Sequence, residues 1–466
     1  MIETNSDSKE LKNNNKSKIK VNDANDSEAV LTSSSQSLLS SSLSSKDEAE
    51  SKPIETVLIL QGGGSLGAFG CGVFKALAKR NIKVDIVAGT SIGAVNAAII
   101  AGGKDTRSSE QLLEQFWLEL SESYVDWDNN NAAFPFSYFL NLGLGGQLLH
   151  NLYDDYYYSN FLLNRTKEEE KEAHRSIRED KIAKMKQMKS FYSSAIFGNE
   201  KMFKPRWRPE YMSSDPEYFT PEKWTYLYDH SPLAKTLDKY VDYNKLKPGG
   251  KPNARLIITA TNVLTAEPLI FDSSKQQIMP KHILASSGYP IYNFPWIEVE
   301  KGVYAWDGGL LSNTPLREVI DASPVNDKWI FLVENYPKKI DALPRNLPEV
   351  YHRTRDIIFS DKTESNVTMS KVITAYLKYI DELYQIVEQH TDHTKLDKEQ
   401  LQKIRRKYKK YKQERGAEIK KIFHISRHER FPGVYENADF SPETIKNSIE
   451  EGEAGTIQAI SDTLSS

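Results

Sequence analysis

The chain has 466 residues, 39% of them hydrophobic, and a formal net charge of −3. That length supports one large α/β domain with additions, or roughly two or three smaller domains. The near balance of charge excludes the global basic field that general nucleic-acid binding needs. A single cysteine, Cys71, excludes an internal disulfide framework and a cysteine-rich metal site.

Residues 1 to about 53 are rich in Ser, Asn, Lys, Asp and Glu and hold no aromatic residue, a composition that predicts a disordered polar leader. The N-terminus lacks the apolar run of a Sec signal. No stretch approaches the roughly 20 apolar residues of a membrane span. The expectation is a cytoplasmic or peripheral membrane protein, with export by another route left open.

Order is expected from residue 56. The run Thr56, Val57, Leu58, Ile59, Leu60 is β-branched and apolar throughout and ends at glycines, the pattern of a strand buried on both faces. A helix is predicted over 66–79, with Cys71 among small apolar neighbours as a core thiol. A strand over 84–88 and a helix over 92–101 follow. Alternation of strand and helix with short connections predicts a mostly parallel sheet flanked by helices, an α/β three-layer architecture. Later strands are predicted over 255–261, 269–272, 303–306 and 329–333.

The catalytic body is therefore expected over 54–340. Residues 116–240, with clusters such as Tyr156, Tyr157 and Tyr158 and a charged stretch at 167–189, are expected to form an inserted helical cap. From about 351, charged helices are predicted, with a strongly basic one over 403–421, so that 341–466 is expected to be a helical C-terminal extension. No internal repeat is seen.

Gly89-Thr90-Ser91-Ile92-Gly93 fits G-x-S-x-G and lies between a predicted strand and a predicted helix. A serine on that tight turn needs a strained backbone, and the flanking Gly89 and Gly93 remove side chains that would collide with neighbouring elements. Its hydroxyl then projects from the C-terminal edge of the sheet, at the positive end of a helix. Upstream, Gly62, Gly63, Gly64 and Gly67 follow the first strand and open the first helix. Such a loop presents successive N–H groups to an anion. In an acyl hydrolase this would be the oxyanion hole.

The same glycines spell G-x-G-x-x-G, so a dinucleotide fold competes, with Asp85 at a suitable distance. Against it, Asp85 stands at the start of the second strand rather than its end. A tight strand-to-helix turn without any ligand is a third reading of the glycines, and the oxyanion role is favoured over both. Asp307-Gly308-Gly309 leaves another short predicted strand. In isolation Asp-Gly is a common turn dipeptide.

Taken in order, these three blocks resemble the patatin-like phospholipase family: a glycine-rich oxyanion loop, a G-x-S-x-G elbow and a D-G-G motif carrying the base of a Ser-Asp dyad. The resemblance covers about residues 56–320. It implies oxyanion donors at Gly62, Gly63 and Gly64, a nucleophile at Ser91 and a base at Asp307, with Gly67, Gly89, Gly93, Gly308 and Gly309 as supporting turn residues. Ala285-Ser286-Ser287-Gly288-Tyr289-Pro290 and Phe294-Pro295 resemble the segment such enzymes place before the aspartate. Tyr351-His352-Arg353-Thr354-Arg355-Asp356-Ile357 and Phe440-Ser441-Pro442 are similar to a C-terminal extension found in a bacterial subgroup. In one departure, Leu66 stands where many patatins carry Arg or Lys, so backbone amides alone would hold the oxyanion.

The resemblance implies hydrolysis of a lipid or long-chain acyl ester, phospholipase A or lysophospholipase in type, with no cofactor. Two other readings stay open. An α/β-hydrolase triad would recruit a histidine after the acid, from His352, His390, His393, His424 or His428. A non-catalytic nucleotide-binding protein would use the glycine loop alone. Neither the H-E-x-x-H pattern nor calcium-loop spacing occurs, so no metal is expected and turnover should survive chelation. The basic segment 403–421 is a candidate for peripheral contact with anionic lipid, although a solvated helix explains it as simply. Oligomeric state is not written in these patterns.

Overall fold

Aliphatic and β-branched runs, buried on alternating sides, build the centre of a mostly parallel sheet. The computed structural model describes residues 53–124, 190–191, 193–336, 338–340, 343–344, 347–360, 363–390, 398–415, 417–428 and 436–465. The leader expected over 1–53 lies outside them except for its last residue. So do the tyrosines at 156–158 and the charged stretch 167–189 of the expected cap.

Strand β1 (Ile54–Leu60) pairs in parallel with β2 (Ile86–Thr90), Leu60 opposite Gly89. Between them a 3-10 turn at Gly64–Leu66 leads into α1 (Gly67–Lys79). Helix α2 (Ile92–Gly102), every residue of which is buried, follows β2, and α3 (Ser109–Glu122) packs beside it. A short antiparallel pair, β3 (Lys204–Pro205) and β4 (Tyr228–Asp229), precedes α4 (Ser231–Tyr240).

Strand β5 (Arg255–Asn262) runs parallel to β2 and antiparallel to β6 (Pro268–Asp272). After α5 (Pro280–Ser287), the antiparallel pair β7 (Ile297–Glu300) and β8 (Val303–Asp307) returns to β5, to which β8 is antiparallel. Helix α6 (Leu316–Ala322) leads to β9 (Asp327–Glu334), parallel to β1 on the side away from β2. Helices α7 (Leu347–Phe359), α8 (Thr363–His390) and α9 (Lys398–Arg415) precede β10 (Ile419–Ser426), parallel to β9, and α10 (Pro442–Ser465) ends the described chain.

The resulting order is β10-β9-β1-β2-β5-β8-β7, with β6 also on β5. Side-chain alternation along β1 shows the layering. Leu58 and Leu60 join the core shared with α1, α2, α3 and α10, whereas Val57 and Ile59 join the core shared with α6 and the start of α8. The sheet is therefore covered on both faces, as a parallel sheet requires.

Four strands were not expected: the short pair β3 and β4, and β7 and β10 of the main sheet. The basic segment expected as helix over 403–421 leaves helical structure at Arg415. From there Phe423 and Ile425 are buried while His424 and Ser426 are exposed, a period of two that fits a strand on the edge of a sheet. Phe423 stacks on Phe331 of β9 with ring centroids 4.4 Å apart.

The C-terminal helix α10 lies backbone to backbone on α1. A Cβ at Gly72 would collide with the carbonyl oxygen of Ile449, and one at Gly452 with that of Phe69. Flexible side chains are absent from both collisions, so the helices must separate to admit a methyl group. Gly72→Ala and Gly452→Ala are each expected to destabilise the fold by about 1–3 kcal/mol, read as a lower midpoint in urea unfolding.

Candidate active site

Register alone brings the two chemically distinctive residues to one row. Thr90 of β2 is opposite Thr259 of β5, so Ser91 comes level with Ala260; and Ala260 is the partner of Asp307 on β8. Two strands apart is about 10 Å between backbones, a gap that side chains from both ends can close. The row between them is kept low by Ala260, which is buried, and by Gly308, where a Cβ would lie 2.6 Å from Thr259 O.

Ser91 is in the left-handed region, with φ 58° and ψ −127°, directly before α2. A non-glycine residue held there stores strain of about 1–3 kcal/mol, and the surroundings fix it. Its N–H donates to Ser286 Oγ at 3.0 Å, and its carbonyl accepts from Ala94 N and Val95 N. The flanking glycines are required by close approach: a Cβ at Gly89 would strike the Gly93 carbonyl, and one at Gly93 the Leu60 carbonyl. Gly67, similarly, sits against Ile92 and Trp117.

Asp307 ends β8 and is 1% exposed. Burial pushes its carboxyl up to about 7, partly offset by the Gly309 N–H and by the Ser91 hydroxyl facing it. Oδ1 accepts from Gly309 N at 2.7 Å, whereas Oδ2 has no hydrogen-bond partner among the described residues. The Ser91 hydroxyl faces this carboxyl without making a hydrogen bond of full geometry, and Oδ2 is the oxygen without a partner among the described residues.

The glycine loop completes the site. A Cβ at Gly62 would lie 2.9 Å from Ser91 Cβ, so the loop passes against the serine. Among the described residues the N–H groups of Gly62, Gly63 and Gly64 have no hydrogen-bond acceptor. Unpaired donors beside a half-buried hydroxyl form a cradle for negative charge.

Comparison with known proteins gives the family. A family model described as patatin-like phospholipase matches residues 58–320, more than half of the chain. The chain belongs to the patatin-like phospholipase family. It is thereby a member of a family of lipid hydrolases. A search of curated protein sequences gives no match. Among solved structures it is similar to VipD from Legionella pneumophila, at 17% identity and a TM-score of 0.35, covering 90% of this chain and 70% of that one. It is also similar to the type III effector protein ExoU, at 14% identity and a TM-score of 0.28, covering 89% of this chain and 54% of that one. A third, the complex of SpcU with ExoU from Pseudomonas aeruginosa, gives 17% identity and a TM-score of 0.23, covering 65% of this chain and 48% of that one.

Leu66 is buried in a cluster with Tyr289, Tyr336 and Phe359. A charge there would meet aromatic rings. The C-terminal region instead reaches the loop through main chain: Ser65 Oγ donates to Glu436 O at 2.8 Å, and Asn437 O packs against Gly64, whose φ of +60° suits glycine. Glu436 is anchored in turn by Arg355 at 2.7 Å and Arg427 at 2.9 Å.

The dinucleotide reading loses its acid, and no histidine is among the groups acting on the Asp307 carboxyl. Asp85 lies at the opposite end of β1 and β2 from the glycine loop, where its Oδ2 accepts from Thr56 N at 2.9 Å. Of the candidate triad histidines, His352 packs in the buried cluster of Asp356 and Glu436, and His424 faces Glu334. The groups that face the Asp307 carboxyl are Gly309 and Ser91. His393 lies outside the described residues. Cys71 is buried, and burial raises its thiol far above the ordinary range, which makes it inert.

Ser286, Gln61 and Asn335 support the site without having been singled out for it from the sequence. Gln61 directly follows the buried apolar run of β1, and Asn335 follows Glu334 just past the apolar run of β9. That position is the one signal that marks them.

Proposed function

We propose that the protein is a serine lipid acyl hydrolase of phospholipase A or lysophospholipase type, using Ser91 as nucleophile and Asp307 as base. The observation that carries this reading is a strained serine and a buried carboxyl with a pKa of about 7 on one row of the sheet, beside unpaired amides. In the ordinary range near 3.9 a carboxylate is a weak base at neutral pH. Burial brings Asp307 close to the pH at which a general base is most effective.

In this mechanism Asp307 Oδ2 takes the Ser91 proton as Oγ attacks the ester carbonyl carbon. The N–H groups of Gly62, Gly63 and Gly64 receive the oxyanion. Collapse breaks the ester bond, the alcohol leaves with the proton from Asp307, and an acyl-Ser91 remains. Water, deprotonated by the same carboxylate, then releases the fatty acid and regenerates the serine. Each lost oxyanion donor costs about 10²–10³ in rate.

Lipid as substrate is supported by exposed apolar side chains next to the motifs: Leu310 and Leu311 directly follow the aspartate motif, and Ile291 and Tyr292 follow α5. Each CH₂ buried there contributes about 0.8 kcal/mol. Peripheral contact with a lipid surface belongs to the same reading. No described helix is long and apolar enough to cross a membrane.

A panel of phospholipid, lysophospholipid and neutral acyl ester vesicles tests the reading. Fatty acid release from at least one of the first two is expected, and its position-labelled acyl chains report which bond is cut. A folded wild-type chain that releases no fatty acid from any of them contradicts it.

A further inference from the structure

The glycine loop is gripped from behind. Gln61, buried, donates from Nε2 to Thr314 Oγ1 at 3.1 Å and to Phe359 O at 2.9 Å, and its Oε1 accepts from Asn335 N at 2.7 Å and Tyr336 N at 3.2 Å. Asn335, 2% exposed, stands just after β9, the neighbour of β1. Its Nδ2 donates to both Gln61 O at 3.0 Å and Gly62 O at 3.1 Å. Both acceptors are carbonyl oxygens, so the NH₂ end alone can face them and the amide orientation is settled by chemistry.

In a trans peptide the C=O and N–H groups point in opposite directions. Holding Gln61 O and Gly62 O on the Asn335 side therefore turns the N–H groups of Gly62 and Gly63 the other way. Ser91 lies against Gly62, whereas a Cβ on Gly63 would meet Asn335 Nδ2 at 3.2 Å. Glycine peptides flip readily because no side chain resists. A flipped Gly62–Gly63 unit would offer a carbonyl oxygen where an oxyanion must sit.

We propose that Asn335 is a positioning residue for the oxyanion hole, its carboxamide locking the Gln61–Gly62–Gly63 peptides so that their N–H groups face the serine. The proposal rests on the oxyanion role of this loop. Asn335 Oδ1 has no hydrogen-bond partner among the described residues, so there the side chain is held in place by its donors. Loss of those donors should disturb the transition state more than substrate binding.

Asn335→Ala, Asn335→Ser and Asn335→Asp test this with a soluble p-nitrophenyl ester and with a fluorophosphonate, whose phosphonyl oxygen needs the same donors. Rates are taken per active site, counted by complete phosphonylation and peptide mass mapping to Ser91. Expected are a fall in kcat of about 10- to 100-fold with KM within about threefold, a parallel fall in the phosphonylation rate constant, and the largest loss in Asn335→Asp, whose carboxylate would face two carbonyls. Per-site rates within twofold of wild type overturn the proposal, as does a rise in KM with kcat unchanged. If none of the three variants folds, Asn335 is a structural residue and the proposal is likewise overturned. A folded wild type that resists phosphonylation at Ser91 overturns the reading of the site itself, and this inference with it.

Discussion

Ser91→Ala is expected to lower ester turnover by about 10⁴–10⁶-fold while the protein stays folded. The size of the loss follows from the division of labour: without Oγ no acyl-enzyme forms, and only binding and the glycine loop remain to favour hydrolysis by water. Stability should not fall, because among the described residues Ser91 Oγ makes no full hydrogen bond while its backbone bonds to Ser286, Ala94 and Val95 persist. Alanine keeps the unfavourable φ of 58°, so no strain is relieved. Residual fatty acid release by a pure variant at more than about 1% of wild type would move the nucleophile elsewhere.

Asp307→Asn is expected to cost about 10⁴-fold in kcat and to change the pH behaviour in two opposite ways. For activity, the base form is needed, so wild-type kcat/KM rises about tenfold per pH unit up to about 7 and then levels. The variant should show no such limb. For stability, the folded-state pKa is raised above the ordinary carboxylate value because burial penalises the charge. The unfolded chain then ionises first, and stability is lost as pH rises from about 4 to 7. Replacing the carboxyl by an amide removes that loss. Asp307→Asn should therefore be more stable than wild type at pH 8, by about 1–3 kcal/mol, with the difference vanishing near pH 4. Chemical denaturation at the two pH values measures it.

The coexistence of lower activity and higher stability is informative. Asp307 is buried with one carboxyl oxygen unpaired among the described residues, a local cost to the fold. The strain at Ser91, the unpaired Oδ2 and the open amides of the loop are all local costs, brought to one edge of the sheet from distant parts of the chain. Rules of local consistency are broken where chemistry is to be done.

How far this was legible in the sequence depends on whether a feature is local. The runs 56–60, 255–261 and 329–333 are mostly apolar or β-branched, and they form β1, β5 and β9 with ends shifted by two residues or fewer. The predicted strand at 84–88 lies two residues early, since Asp85 bonds Thr56 at the edge before the ladder begins. The turn at Ser91 and the glycine loop were legible because tight turns need glycine. Strand β10 was hidden by lysines, which read as a continuation of α9 although the alternation of Phe423 and Ile425 had already begun. Its place beside β9 depends on pairing across nearly a hundred residues, which no local pattern carries.

The clamp on the loop was hidden for another reason. Gln61 and Asn335 are single polar residues without a period, 274 positions apart, and acquire meaning only when β1 and β9 are neighbours. The contact of Gly72 with α10 is of the same kind. By contrast the join between Ser91 and Asp307 could be anticipated from a family resemblance, and register then explains it: each is level with Ala260.

The measurement that bears most directly on the account is trapping of the intermediate. Wild-type protein mixed with a long-chain acyl ester above pH 7 and quenched in acid within the first turnovers should carry one acyl mass on the peptide containing Ser91, absent from Ser91→Ala. Steady hydrolysis with no acyl adduct at Ser91, or with the adduct on another residue, would contradict it.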